Sequence, residues 1–114
     1  MQPTEAGAFM TVLFELCAPS LEAAIFAERG GASRVELCED LAIGGVTPSD
    51  RLLADTLRSI HLPVHVLIRP RGGDFCYSAD EFEAMEQDVL TATRLNSVWD
   101  IYGSRSAALE ALRS

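Results

Sequence analysis

Two nearly identical segments of the sequence each carry a carboxylate and a thiol that could do chemistry. They read FELC and, 21 residues later, VELC, so Glu15 stands two residues before Cys17 and Glu36 stands two residues before Cys38. Residues two apart in a β-strand point to the same face of the sheet. If the two segments were neighbouring parallel strands paired in register, Glu15 would lie beside Glu36, and Cys17 beside Cys38.

Thiols and carboxylates favour different chemistries. Soft thiolates suit Cu(I), so Cys17 and Cys38 are candidate copper ligands, whereas two carboxylates better suit a hard cation or proton transfer. Cysteine is also among the residues most often buried, so both could instead be small apolar residues at strand ends. Residue types and spacing leave both interpretations open.

The two glutamates need partners, because an unpaired carboxylate among apolar strand residues is costly to bury. Arg69, at the end of the next predicted strand, is the nearest candidate along the chain. A Glu–Arg network that fixes the strand ends is one hypothesis. A substrate site in which Glu15 and Glu36 act as acid/base groups or metal ligands is the other.

The string RPRGGDF at 69–75 is the most unusual local sequence. Arg69 and Arg71 flank a proline, two glycines allow positive φ angles, and Asp74 can cap or pair with the arginines. Guanidinium groups and exposed amides there could bind a carboxylate or phosphate. The alternative is a rigid loop held by an Arg–Asp pair. His61 and His65 are interpreted as structural histidines.

The pattern of apolar residues and capping signals predicts strands that alternate with helices. Strands are predicted at 11–17, 34–38 and 64–69, helices at 20–29 and after the caps Thr47 and Ser78, and a further strand and helix at 97–103 and 106–114. Such alternation is typical of an α/β fold with a parallel sheet, in which functional groups collect beyond the carboxyl ends of the strands.

Composition limits the classes of partner. The chain has 114 residues, 48% of them hydrophobic, and a net charge of −8, which together predict one globular domain. No basic stripe points to nucleic acid or an anionic membrane, and no apolar run is long enough to span one. The three cysteines are too few for a disulfide scaffold and no signal peptide is visible, so we expect a cytoplasmic chain with reduced thiols.

Two long segments resemble the amino-terminal part of the CutC copper-homeostasis family over about residues 12–90. They are FELCAPSLEAAIFAERGGASRVELCEDLAIGGVTPS and PVHVLIRPRGGDFCYSADEFEAMEQDV, with the specific motifs ELC-x₅-GG-x-TPS and IRPRGGDF-x-YS. The resemblance implies a cytoplasmic, often oligomeric TIM barrel linked to copper tolerance or Cu(I) binding. It matches Cys17 and Cys38 to the proposed Cu(I) ligands, and Glu15, Glu36 and Arg69 to polar residues at the barrel mouth.

A complete (β/α)₈ barrel takes about 250 residues, so this sequence implies a partial TIM barrel of three to four βα units in a single incomplete domain, 1–114. Three hypotheses follow. The first, which we favour over an enzyme, is a CutC-type copper-homeostasis protein that binds Cu(I) through its strand-end cysteines. The second is the remnant of a barrel enzyme whose Arg69 and Arg71 bind a small anionic substrate. The third is a non-functional fragment whose apolar sheet edge another copy must cover.

Overall fold

Within the residues that the structure describes, the fold consists of three βα units in succession. The structure, a computed structural model, describes the backbone of residues 12–102 and the side chains of residues 12–95. Its strands are β1 (Glu15–Ala18), β2 (Arg34–Leu37) and β3 (Val64–Val66), and its helices are α1 (Leu21–Arg29), α2 (Asp50–Ser59) and α3 (Ala79–Tyr102), with a short 3₁₀ helix at Leu41–Ile43.

The strands form one parallel sheet in the order β1-β2-β3. This confirms the predicted α/β class, the parallel sheet and the three predicted strands. The strands are shorter than the sequence pattern indicated. Strand β3 ends at Val66, before the predicted end at residue 69, because the segment that follows bonds to the loop after β2.

The predicted fourth strand at 97–103 is wrong. Residues 97–102 continue helix α3, which runs without interruption from Ala79 to Tyr102. No glycine or proline occurs within that helix, so nothing in the sequence ends it, and helical continuity overrides the β-propensity of its valine and aromatic residues. The helix predicted at 106–114 lies outside the described residues.

Helix α2 begins two residues later than the predicted cap at Thr47 implied. The Ser49 hydroxyl accepts the amide hydrogen of Leu52 at 3.1 Å and is the actual N-cap. The Thr47 hydroxyl has a different partner, because it accepts the backbone N–H of Arg69 at 2.8 Å. A tertiary hydrogen bond therefore engages the hydroxyl that local sequence signals would assign as the N-cap of the helix.

The hydrophobic core lies between one face of the sheet and the helices. Val35 and Leu37 of β2 are fully buried against it, and Ala24 and Ala27 of α1 let that helix approach the sheet closely. Alternation along the strands then directs the intervening residues to the opposite face. The central strand therefore separates an apolar face, which holds the fold together, from a polar face.

Both outer strands of the described sheet have an unpaired edge. Before and within β1, four apolar side chains are 49–68% exposed: Val12, Leu13, Phe14 and Leu16. Beside β3 there is an apolar groove of about 300 Å³, lined by residues that include Leu53, Val64 and Val66. Unpaired edges with exposed apolar residues promote association of chains.

We expect the purified chain to associate as its concentration rises, because the two strand edges and the β1 apolar residues are exposed. Sedimentation velocity across a concentration series measures this directly. A Leu16→Lys variant, which places a charge beside the β1 edge, should shift the distribution toward monomer. A compact, cooperatively folding monomer at micromolar concentration would contradict the expectation.

Asp88 of α3 lies near the start of α2. Burial, with the negative charge of Asp50 adding to it, raises the pKa of Asp88. Asp88 therefore favours the folded state in acid, where its carboxyl is protonated. This contribution to stability is lost as the pH rises through the folded-state pKa of Asp88. Asp88→Asn should stabilise the chain at pH 7 by roughly 0.5 kcal/mol, with a smaller gain in acid.

Urea denaturation at pH 7 and in mild acid tests this expectation about Asp88. The exposed Glu86, on the same helix, gives the matched control Glu86→Gln. An equal gain from both variants, or a gain from Asp88→Asn that does not change with pH, would show that the helix responds to net charge rather than to the position of Asp88.

Candidate functional site

The polar face of the sheet carries ionisable side chains from all three strands. Glu15 and Cys17 come from β1, Arg34 and Glu36 from β2, and His65 from β3. They lie opposite the buried apolar residues because side chains alternate along each strand. The prediction that the repeated ELC segments form adjacent parallel strands is confirmed.

The predicted pairing of identical residues is wrong. Strand β2 is staggered, so Glu15 pairs with Arg34, and Cys17 pairs with Glu36. Cys38 lies beyond the end of β2, where its amide bonds to the carbonyl of Ala18 at 3.1 Å. Glu15 is the first residue of its strand and not at the carboxyl end. The two thiols are thus diagonal neighbours rather than direct ones.

Glu15 connects the three strands through one carboxylate oxygen. Its Oε2 accepts a hydrogen bond from Arg34 Nε at 2.7 Å and lies 3.2 Å from Nδ1 of His65. Since β1 and β3 are not adjacent, the side chains of Glu15 and His65 meet across the polar face of β2. The arginine partner of Glu15 is therefore Arg34 and not the predicted Arg69. His65, interpreted from sequence as structural, belongs to the same cluster.

The thiol of Cys17 is exposed and donates to Glu36 Oε1 at 3.6 Å. Burial raises the pKa of Cys17, and the negative charge of Glu36 and this hydrogen bond raise it further. A carboxylate beside a thiol disfavours the thiolate, because it repels the second negative charge. Cys17 is therefore held in its protonated form to a higher pH than an ordinary cysteine.

The thiol of Cys38 is 1% exposed and lies 3.9 Å from the carbonyl oxygen of Ala18. Burial raises the pKa of Cys38, and the charge of Cys17 is the next largest cause. The strand register makes the two cysteines diagonal neighbours on the polar face. They differ in access, since one is open to solvent and the other is covered.

Arg69 binds two loops rather than a glutamate. Its Nη1 donates to the carbonyls of Ile43 and Gly45 at 3.0 and 2.9 Å, and its Nη2 donates to the carbonyl of Gly73 at 3.2 Å. The guanidinium also lies over the ring of Phe75, 5.1 Å from its centroid. Arg69 therefore ties the loop after β2 to the loop after β3.

Arg71 is engaged within its own loop and with the start of α3. It forms ion pairs with Glu81 at 2.5 Å and with Asp74 at 3.3 Å. Glu81 also completes the predicted capping box, since it accepts the Ser78 amide at 3.0 Å while Ser78 Oγ accepts the Glu81 amide at 3.1 Å. The Arg–Asp pair that a rigid loop requires is present. An anion site at Arg69 and Arg71 stays a prediction.

Comparison with known proteins identifies the family. Residues 12–107 match the CutC family. The chain belongs to this family. It is 46% identical over 100 residues to a human protein named copper homeostasis protein cutC homolog, and the match covers 88% of this chain and 37% of the human protein. A CutC family protein of Xylella fastidiosa is 44% identical over 106 residues, which cover 93% of this chain and 40% of that protein.

A solved structure supports the same assignment. The CutC protein of Streptococcus agalactiae matches with a TM-score of 0.68 and 41% sequence identity, over 73% of this chain and 41% of that one. The resemblance predicted for about residues 12–90 is therefore confirmed, and the family match continues beyond it to residue 107. The chain spans well under half the length of these CutC relatives.

The polar face carries hard carboxylate donors, Glu15 and Glu36, beside the soft thiols Cys17 and Cys38. Among the residues that the structure describes, no group of three or more His, Cys, Asp or Glu side chains is arranged to hold a metal ion. Of the donors on this face, the two thiols are the type that Cu(I) prefers. The described part of the chain also contains no helix with the length and apolar content to span a membrane.

We expect Glu36→Gln to lower the pKa of Cys17, because the substitution removes the charge and the charged acceptor that hold the proton on sulfur. Desolvation, the largest cause, remains, so the pKa should fall only part of the way to its ordinary value. Alkylation of Cys17 by iodoacetamide, mapped by mass spectrometry from pH 6 to 10, should therefore begin at a lower pH.

Glu22→Gln in α1 serves as the control for this titration, since it is the same substitution at an exposed glutamate that lies on a helix. If both variants move the profile of Cys17 alike, overall charge rather than the neighbouring carboxylate governs the thiol.

Proposed function

We propose that this chain forms the amino-terminal part of a CutC-type TIM barrel and contributes to copper homeostasis by binding Cu(I) through Cys17 and Cys38. Family membership and the likeness to a solved CutC structure support the barrel. The strand register, which makes the two cysteines diagonal neighbours on one face of the sheet, supports the copper site. In this proposal the chain is a single incomplete domain in the cytoplasm and associates with further copies.

Copper is the cargo in this proposal, and the described residues supply its binding chemistry. Two thiolates from neighbouring strands are the ligands, and each must lose its proton before it binds a metal. Because the pKa of each thiol is raised, protons compete strongly with Cu(I) near neutral pH. Apparent affinity should consequently rise with pH.

Cu(I) titration in the presence of a chromophoric chelator tests the proposal. The wild-type chain should retain about one copper ion, and a Cys17→Ser, Cys38→Ser double variant should lose it, because a single exposed thiolate gives a soft cation little selectivity. Retention by the wild type should increase between pH 6 and pH 8.

Cys76→Ser is the matched control for the copper titration, since Cys76 is also an exposed free cysteine but lies in the loop before α3. Equal retention by the double variant and the wild type would refute the thiol site. Loss of copper from Cys76→Ser alone would indicate that copper binds at the loop before α3 instead.

A second candidate function, the acid/base site of a barrel enzyme, is favoured by the Glu15 cluster. The contact of Glu15 with His65 resembles the carboxylate–imidazole pairs that orient a histidine for proton transfer. The neighbouring Arg34 is already paired with Glu15. Copper binding that depends on the thiols separates the first candidate from this one, because the acid/base cluster does not include either cysteine.

A further inference from the structure

The loop after β2 covers the Cys38 thiol with a two-glycine turn. Glu39 and Val46 close the base of this loop with two backbone hydrogen bonds, of 3.0 and 2.8 Å. Gly44 and Gly45 follow the 3₁₀ helix with φ angles of 93° and 91°, a conformation that side-chain-bearing residues rarely adopt. The turn therefore depends on glycine at both positions.

Gly45 lies directly on the thiol. A Cβ atom added there would be 3.5 Å from the sulfur of Cys38 and 3.1 Å from Leu67 Cδ2, so the buried Gly45 is a direct neighbour of the sulfur. Cys38 is 1% exposed, although it stands at the open end of β2. Cys17, on the neighbouring strand, has no such cover and is exposed.

Arg69 holds this turn from the other side. Its Nη1 bonds to the carbonyl oxygens of Ile43 and Gly45, the residues on either side of Gly44. The guanidinium comes so close that a Cβ on Gly44 would be 2.9 Å from Nη1. The Arg69 N–H donates to the Thr47 hydroxyl at 2.8 Å and the Thr47 N–H donates to the Arg69 carbonyl at 2.9 Å, which anchors the arginine beside the loop.

We propose that the Gly44–Gly45 turn is a lid over Cys38 and that Arg69 is the latch that keeps it closed. The lid regulates the copper site proposed above, and its role in copper binding rests on that proposal. A soft metal ion or thiol reagent meets Cys17 first and gains Cys38 only when the turn moves away. Arg69 is thus a positioning residue that controls access to the second thiol without touching the metal.

The test measures access to Cys38 without copper. In a Cys17→Ser, Cys76→Ser background Cys38 is the single thiol, and 4,4′-dithiodipyridine reports its reaction. The thiolate attacks the reagent disulfide, a mixed disulfide forms, and 4-thiopyridone is released and absorbs light. With Arg69 present the reaction should be slow and its rate should depend weakly on urea well below the unfolding transition, because the lid opens locally.

Arg69→Gln should accelerate this reaction roughly tenfold or more, the factor expected when the closed state loses a charge-assisted hydrogen bond. Arg71→Gln is the matched control, because Arg71 bonds to its own loop and to Glu81 and not to the lid. Its rate should stay near that of the parent. Circular dichroism and urea midpoints establish that each variant is folded.

If Arg69→Gln fails to fold, Arg69→Lys supplies the second variant, since lysine keeps the charge over Phe75 but lacks the planar fork, and its rate should rise by a smaller factor. Equal rates for the parent and the Arg69 variant, equal acceleration by Arg71→Gln, or a parent rate equal to that of global unfolding would each overturn the lid. None of these outcomes bears on whether Cu(I) binds. The lid and the copper site can therefore be refuted independently of each other.

Discussion

The stagger between β1 and β2 decides which side chains meet on the polar face. Because Cys17 pairs with Glu36, the exposed thiol lies against a carboxylate and keeps its proton. The same stagger pairs Glu15 with Arg34 and leaves Cys38 beyond the last strand pair. A direct register would have placed like charges side by side, which is destabilising, whereas the observed one gives Glu15 a cationic partner.

The arginines after β3 serve loop architecture. Arg69 fastens the loop that follows β2, and Arg71 fastens the start of α3 through Glu81. Loops at the carboxyl ends of parallel strands carry function in α/β proteins, and they need such internal bonds to hold a fixed shape. In this chain the bonds of Arg69 also bring a glycine turn onto a cysteine, which links loop structure to thiol chemistry.

The three-stranded parallel sheet with two unpaired edges is consistent with part of a barrel. The contact between Glu15 and His65 joins the two outer strands across the polar face. The chain belongs to the CutC family but covers only 41% of the matched CutC structure. The apolar side chains along β1 are exposed at one of the unpaired edges.

The sequence by itself determined the order of the first three strands and their helices, the parallel sheet, the capping box at Ser78 and the family. These follow from local apolar periodicity, from capping signals within a few residues, and from long specific motifs. It did not determine where α3 ends, because propensity in VWDIY favours a strand while nothing before it stops the helix.

Only the tertiary structure decided which side chains meet. The register between β1 and β2 depends on how the core residues of β2 pack, and no local signal in the two ELC segments records it. Tertiary packing made Arg34 rather than Arg69 the partner of Glu15 and brought His65 into the cluster. It also left the Cys38 thiol buried while the Cys17 thiol is exposed to solvent. Such contacts join residues far apart in the chain. Spacing along the sequence therefore cannot rank the candidate partners of a side chain, whereas packing selects one of them.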